Sequence, residues 1–175
     1  MIKRDNPLIY VCGISGVGKT SIVHGSSLSE IVSYTSRPKR EGEEQGIDYH
    51  FYSKQWMEQM HHILFEHDFK YFNDNYYATA TEDIQSSDCQ ILRLQDAIEY
   101  FSNGINCVIV CVIGPVRATR EGRDQKKERL EWDKLYRDFF DRNQHLIGKQ
   151  IFTIHNMELN ASIERLEEIK RKVNN

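Results

Sequence analysis

Residues 13–20 read Gly-Ile-Ser-Gly-Val-Gly-Lys-Thr and fit the phosphate-loop pattern GxxxxGK[ST], with an apolar run before them and a polar segment after them. The glycines let backbone N–H groups face a phosphate chain, and the helix that follows adds its positive end. Lys19 is expected to reach the β- and γ-phosphates, and the Thr20 hydroxyl to meet Mg²⁺. The segment therefore predicts a nucleoside triphosphate site. Its candidate contacts are Gly13, Ser15, Gly16, Val17, Gly18, Lys19, Thr20 and Ser21.

Strand and helix signals alternate along the chain, which predicts an α/β fold with a largely parallel sheet flanked by helices. The expected strands are Leu8–Cys12, Ile31–Tyr34, Cys89–Leu94, Cys107–Ile113 and Ile151–Ile154. One helix is expected around residues 95–102. A long amphipathic helix is expected between Arg117 and Leu146, and a closing helix carries Ile163, Leu166, Ile169 and Val173 on one face.

Composition narrows the class of protein. A chain of 175 residues with 39% hydrophobic and 28% charged content is expected to form one domain, residues 1–175. A formal net charge of −3 disfavours a nucleic-acid partner. No apolar stretch approaches the roughly 20 residues of a membrane span, and the N-terminus lacks a signal-peptide core. A cytoplasmic protein without a membrane partner is therefore expected.

Cysteine and histidine residues give no metal pattern. Four cysteines lie within or beside apolar runs and are expected to be small core residues; they are Cys12, Cys89, Cys107 and Cys111. Cys107 and Cys111 make at most half of a zinc site, because no second pair stands at ligand spacing. The spacing of His61, His62 and His67 fits no metal motif either, so surface or half-buried histidines are expected.

Two segments fall outside the alternating core, which is expected to comprise residues 1–34 and 80–175. An aromatic-rich segment of about residues 35–79 is too long for a simple connection and is interpreted as an inserted subdomain. A basic stretch of about residues 114–128, interrupted by Gly122, suits a lid that closes over phosphates. A solvated helix face is the alternative reading of that stretch.

The segment from Ser33 to Phe51, with Arg37, Arg40, Asp48 and Tyr49, closely resembles the nucleoside-monophosphate (NMP) site of guanylate kinases. The similarity continues through a helix of about residues 53–68 into Asn-Tyr-Tyr-Ala-Thr at residues 75–79. With the phosphate loop it covers roughly residues 8–80. Farther on it is limited to element order, a lid and a late strand.

The resemblance implies ATP as phosphoryl donor, Mg²⁺ as cofactor and GMP or dGMP as acceptor. Arginine and tyrosine suit a doubly charged phosphate, and a carboxylate suits the N1–H and amine edge of guanine. The implied NMP contacts are Ser33, Arg37, Arg40, Tyr49, Asp68, Tyr77 and Thr79. The implied catalytic residues are Lys19, Arg37 and the lid residues Arg120 and Arg123. A third lid residue is open among Arg129, Lys134 and Arg137, and Asn156 is implied near the donor adenine.

Several residues depart from the family pattern. Arg93 and Gln95 stand where the family has two acids, with Asp96 one position later, and Asp68 replaces a glutamate. These departures leave open another acceptor, such as a different deoxynucleotide or a ribose bisphosphate. A non-catalytic binding module of the same fold is the third reading.

Overall fold

The computed structural model describes residues 4–66, 68–116 and 125–175. In this part of the chain the fold comprises two compact units, one of residues 4–30 and 88–175 and the other of residues 31–87. The elements in chain order are β1 (Leu8–Cys12), α1 (Lys19–His24), β2 (Tyr34–Thr35), β3 (His50–Phe51), α2 (Lys54–Leu64), β4 (Phe69–Phe72), β5 (Asn75–Ala78), α3 (Thr81–Ser86), β6 (Cys89–Ile91), α4 (Leu94–Ser102), β7 (Cys107–Ile113), α5 (Gln125–Arg142), β8 (Ile151–His155) and α6 (Leu159–Val173).

The first unit is built on a parallel sheet of four strands in the order β6-β1-β7-β8. Val11 of β1 pairs with Ile91 of β6, and Cys12 pairs with Cys111 of β7. Every residue of β1 is buried, because helices cover both faces of the sheet. The predicted parallel α/β fold is confirmed.

Side chains alternate between the two faces of this sheet. One face packs against α1 and α6 through a buried cluster; its members include Ile9, Val11, Val110, Phe152, Ile22, Leu166 and Ile169. On the other face, the rings of Tyr10 and Tyr100 lie 5.5 Å apart, and Tyr136 of α5 meets Thr153 of β8 at 3.1 Å. The predicted closing-helix face is confirmed, since Ile163 and Val173 also pack against the first cluster.

The second unit has a sheet of its own, in the order β3-β2-β5-β4. β2 pairs parallel with β3 and antiparallel with β5, and β4 forms a hairpin with β5. Helix α2 begins at Ser53, whose side chain accepts a hydrogen bond from the Trp56 N–H at 3.1 Å. Its buried Met57 packs with Phe65 and Ala78, which gives this unit a small core.

The predicted bounds of two strands were wrong. Ile31–Tyr34 was expected in the core sheet, but only Tyr34–Thr35 is a strand, and it belongs to the second sheet. The chain contacts the core sheet one residue before Ile31, where Glu30 forms an isolated β-bridge with Cys89. The strand expected over Cys89–Leu94 ends at Ile91 because Leu94, Ala97 and Tyr100 are buried at helical spacing in α4.

The four cysteines are buried and free, which confirms them as core residues. Burial raises the pKa of Cys107 and of Cys111 to about 12. No helix in the described ranges combines the length and apolar character needed to cross a membrane.

Candidate functional site

The phosphate loop connects β1 to α1 in the first unit. Gly16 and Gly18 have φ angles of 79° and 96°, in the left-handed region that favours glycine. Gly18 is the N-cap of α1, and a Cβ at that position would lie 2.5 Å from Asn156 Nδ2. These two glycines are therefore required by the loop's backbone and by its close approach to Asn156.

Lys19 closes the loop on itself. Its ammonium donates to the carbonyl oxygens of Gly13 and Ile14, both at 2.9 Å. The side chain is partly buried, and its charge is sensed at Cys12: burial raises the pKa of that thiol, Cys111 adds to the rise, and Lys19 opposes it. A cation is thus held at the loop where a phosphate chain would bind.

Asn156, predicted near the adenine, lies behind the loop. It is 1% exposed, and its Nδ2 donates to the Val17 carbonyl at 2.8 Å. Its Oδ1 lies 3.0 Å from the Ser162 hydroxyl. The structure therefore places this amide against the loop's backbone.

Thr20 and Ser21, the second and third residues of α1, are exposed. Within the described ranges no group of three or more His, Cys, Asp or Glu side chains is arranged to hold a metal ion. A magnesium ion that arrives with nucleotide phosphates and keeps several waters needs few protein ligands, and the Thr20 hydroxyl fits that limited role.

Arg93, one of the departures from the family pattern, lies beside the phosphate loop. It follows β6 as the N-cap of α4, and the next-door Leu92 N–H donates to the Val11 carbonyl at 3.2 Å. Its guanidinium forms a bidentate pair with Asp96 at 2.7 and 3.0 Å. The edge of the sheet therefore carries a paired cation where two acids were expected.

In the second unit, Arg37 is held by Glu43. Two guanidinium nitrogens, Nη1 and Nη2, donate to the carboxylate at 2.8 and 2.9 Å, and Nη1 also donates to the Pro38 carbonyl at 2.8 Å. Burial alone would lower the pKa of Arg37, but its hydrogen bonds with Glu43 and the carboxylate charge raise it. The same bonds lower the pKa of Glu43 against the opposing effect of burial.

Other predicted phosphate contacts lie around this pair. The Arg37 guanidinium carbon lies 5.3 Å from the centre of the Tyr49 ring, and the rings of Tyr49 and Tyr77 meet edge to face at 6.3 Å. The Arg40 N–H donates to Glu43 at 2.9 Å while its side chain is exposed. Ser33, half-buried, accepts a hydrogen bond at its carbonyl from the His50 N–H.

Asp68 and Thr79, the two predicted base-reading residues, are brought together. The Thr79 hydroxyl donates to the Asp68 carboxylate at 2.5 Å, and the Thr79 N–H donates to the Asp68 carbonyl at 3.1 Å. Thr79 is 1% exposed, so the pair is fixed at the point where β4 begins and β5 ends.

The predicted lid falls mostly outside the described residues. Arg120 and Arg123 are outside the described residues. His67, from the histidine group, is outside them as well. Arg129, Lys134 and Arg137, the alternatives for a third lid residue, lie on α5 and are exposed.

Sequence reasoning missed Glu43 and Ser162 as supporting residues. Glu43 is six positions after Arg37, with Gly42 before it at φ 78°, so the chain turns back in a way that helix and strand spacing rules do not capture. Ser162 was missed because its position depends on how α6 begins. Glu158 is the N-cap of α6, and the Ser162 hydroxyl lies 2.9 Å from the Glu158 carbonyl.

A parallel sheet whose first strand enters a glycine loop closed by a lysine defines a P-loop NTPase fold. Comparison with solved structures agrees: guanylate kinase from Anaplasma phagocytophilum is similar with a TM-score of 0.61 at 17% identity, covering 98% of this chain and 87% of that one. The guanylate kinase family model matches residues 5–91.

Proteins with similar sequences are also described as guanylate kinases. A guanylate kinase from Neisseria gonorrhoeae is 35% identical over 91 residues, 47% of this chain, and one from Mycoplasmoides gallisepticum is 28% identical over 99% of this chain and 96% of its own length. Over residues 5–91 this chain is therefore similar to the guanylate kinase family. The match to the Neisseria gonorrhoeae relative spans 43% of that protein's length, less than half of it.

Proposed function

We propose that this chain is an ATP-dependent nucleoside monophosphate kinase that transfers the γ-phosphoryl group of ATP to GMP or dGMP. The observation that carries the proposal is the complete phosphate loop, with Gly16 and Gly18 in the left-handed region and the Lys19 ammonium held at the loop. Phosphoryl transfer depends mainly on positioning the reactants and neutralising their charge, which is what such a loop provides.

Arg37 is proposed to hold the acceptor phosphate. A guanidinium has five N–H groups, and the contacts made within residues 31–66 and 68–87 use three of them. Glu43 occupies the edge formed by Nη1 and Nη2, which leaves the edge of Nε and Nη2 for two phosphate oxygens. The tyrosine hydroxyls of Tyr49 and Tyr77 would add neutral hydrogen bonds, with Arg40 and Ser33 as further contacts.

Asp68 and Thr79 are proposed to read guanine. The Thr79 hydroxyl donates to the Asp68 carboxylate, and a carboxylate is the acceptor that the N1–H and amine edge of guanine requires. The hydrogen bond to Thr79 fixes the direction of the carboxylate. An aspartate on a loop without such a bond would have no fixed direction.

Thr20 is proposed to contact a magnesium ion that arrives with ATP, the remaining positions being filled by phosphate oxygens and water. When bound, this ion neutralises negative charge on the phosphate chain. Arg120 and Arg123 keep the lid role that the family resemblance implies for them.

A second acceptor class is favoured by one observation. Arg93 adds a cation at the carboxyl edge of the sheet, the edge at which the phosphate loop also begins, so an acceptor with an additional anionic group, such as a ribose bisphosphate, would gain a partner there.

The test is ADP formation from ATP and Mg²⁺ with GMP, dGMP, other monophosphates and a ribose bisphosphate offered singly. Lys19→Ala is the inactive variant, and Lys149→Ala, an exposed lysine of the same unit, is the matched control. Turnover with GMP or dGMP that depends on Lys19 and survives loss of Lys149 supports the proposal. Turnover confined to another acceptor would show that this acceptor, and not GMP or dGMP, is the substrate. ATP binding without turnover on any acceptor supports the binding-module reading.

A further inference from the structure

Asn156 lies at the carboxyl edge of the core sheet and is bonded to the end of β7 and to the phosphate loop. It follows β8, its backbone N–H donates to the Ile113 carbonyl at the end of β7 at 2.7 Å, and its side chain donates to Val17 in the phosphate loop. The residue is 1% exposed. A buried amide in this place affects the loop through its hydrogen bonds and not through solvent-facing chemistry.

The fit around Asn156 is close on two sides. A Cβ at Gly18 would lie 2.5 Å from its Nδ2, and a Cβ at Gly114 would lie 2.9 Å from its carbonyl oxygen. Real Cβ atoms do not approach that closely, so the loop's last glycine and the glycine after β7 make room for this residue. The Ser162 hydroxyl, 3.0 Å from Oδ1, holds the amide in one orientation.

The bond to Val17 has a consequence on the opposite side of the peptide. The Val17 carbonyl and the Gly18 N–H belong to one planar trans peptide unit, in which the two groups point in opposite directions. Because Asn156 fixes the carbonyl behind the loop, the Gly18 N–H is turned to the front, where a phosphate chain would lie.

We propose that Asn156 is a positioning residue that sets the Val17–Gly18 peptide for phosphate binding, with Ser162 orienting its amide. This inference rests on the proposed function only in requiring that the loop binds a triphosphate. It differs from a role beside the adenine, because it acts on the phosphates and is indifferent to the base.

The experiment measures binding of ATP and of inorganic tripolyphosphate, each with Mg²⁺, by calorimetry. Asn156→Asp keeps the acceptor for Ser162 and replaces the donor with an oxygen that repels the Val17 carbonyl. Ser162→Ala leaves Asn156 in place and removes its orienting hydroxyl, together with that hydroxyl's contact with the Glu158 carbonyl, so it serves if the first variant does not fold. Asn143→Asp is the matched control, since Asn143 Nδ2 donates to the Phe139 carbonyl at 2.8 Å at the end of α5, away from the phosphate loop in sequence.

We expect Asn156→Asp to weaken both ligands by about 10-fold to 100-fold, and Ser162→Ala to weaken both by a few fold. The KM for ATP should rise in parallel while the KM for the acceptor stays unchanged, which a general loss of stability would not produce. Asn143→Asp should leave both affinities as in the wild type.

Weakened ATP binding with unchanged tripolyphosphate binding would overturn the proposal and assign Asn156 to the base. Wild-type affinities in Asn156→Asp would overturn it as well. A wild-type protein that binds neither ligand refutes the triphosphate site itself, which separates failure of the proposed function from failure of this inference.

Discussion

Glu43 determines how Arg37 is presented. The pair is nearly buried, with side-chain exposures of 10% for Arg37 and 13% for Glu43, and the carboxylate also accepts from the Arg40 N–H. One carboxylate therefore fixes the guanidinium and the turn that follows it. Such an arrangement reduces the side-chain freedom that Arg37 would otherwise lose on binding the phosphate proposed for it.

Glu43→Gln should weaken acceptor binding and reduce acid sensitivity. The amide keeps the shape but offers one acceptor instead of two, so we expect a loss of about 1–2 kcal/mol in the free energy of unfolding and a higher KM for the acceptor. Glu44→Gln, an exposed neighbour, is the control. Steady-state kinetics and urea unfolding provide the two measurements.

The pH dependence of this effect has a definite sign. The pKa of Glu43 is lowered below its ordinary value of 4.5, so its ionised form stabilises the fold above that pH. The difference in unfolding free energy between wild type and Glu43→Gln should be constant above about pH 5.5 and shrink as the pH falls through 4.5 and below. A difference that grows on acidification would contradict the assigned role.

At the scale of the elements, continuous apolar runs were predictable and short polar ones were not. β1 and β7 are buried on both faces, so every position is apolar and their bounds agree with the prediction. β2 has only two residues and pairs with distant strands, which residue pattern alone cannot specify. Glu43 and Ser162 were missed for the same reason, because their partners are set by turns and caps.

The boundary between β6 and α4 shows why Arg93 matters. Since β6 ends at Ile91 and α4 begins at Leu94, Arg93 lies at the carboxyl edge of the sheet next to the phosphate loop. Ligands of open α/β sheets bind at this edge. We therefore expect Arg93 to affect the site, and a similar pair elsewhere to affect only stability.

Arg93→Ala should lower phosphoryl transfer by about 10-fold, because a positive charge at the carboxyl edge of the sheet is lost. Its stability effect should be below about 1 kcal/mol, since the side chain is 56% exposed. Arg165→Ala is a matched control: Arg165 pairs with Glu168 at the same i,i+3 spacing with 52% exposure on α6. Equal activity losses in both variants, measured by ADP formation, would remove the special role of Arg93.

At the scale of the whole molecule, the chain divides its predicted ligand contacts between two units with separate cores. Ile22 and Leu166 belong to the core of the unit with the phosphate loop, while Met57 and Phe65 belong to the core of the unit with Arg37 and Asp68. The sequence indicated an insert because the aromatic-rich segment of about residues 35–79 is too long for a simple connection within the alternating core. Some of those aromatic residues build the second core: Phe65 is buried in it, and Trp56, Phe69 and Tyr76 pack against it.

Separate cores predict separate responses to the two ligands in hydrogen exchange. A ligand at 100 times its Kd stabilises the form that binds it by about 2.7 kcal/mol, which slows exchange through local unfolding roughly 100-fold. ATP alone should therefore slow amides of α1 and its preceding loop, residues 13–24, and GMP alone should slow amides of β2, β3 and β5. Lys19→Ala should abolish the ATP effect and leave the GMP effect in place. If GMP slowed residues 13–24 as much as it slows β2, β3 and β5, the two units would unfold as one, and each ligand would be acting on the stability of the entire chain.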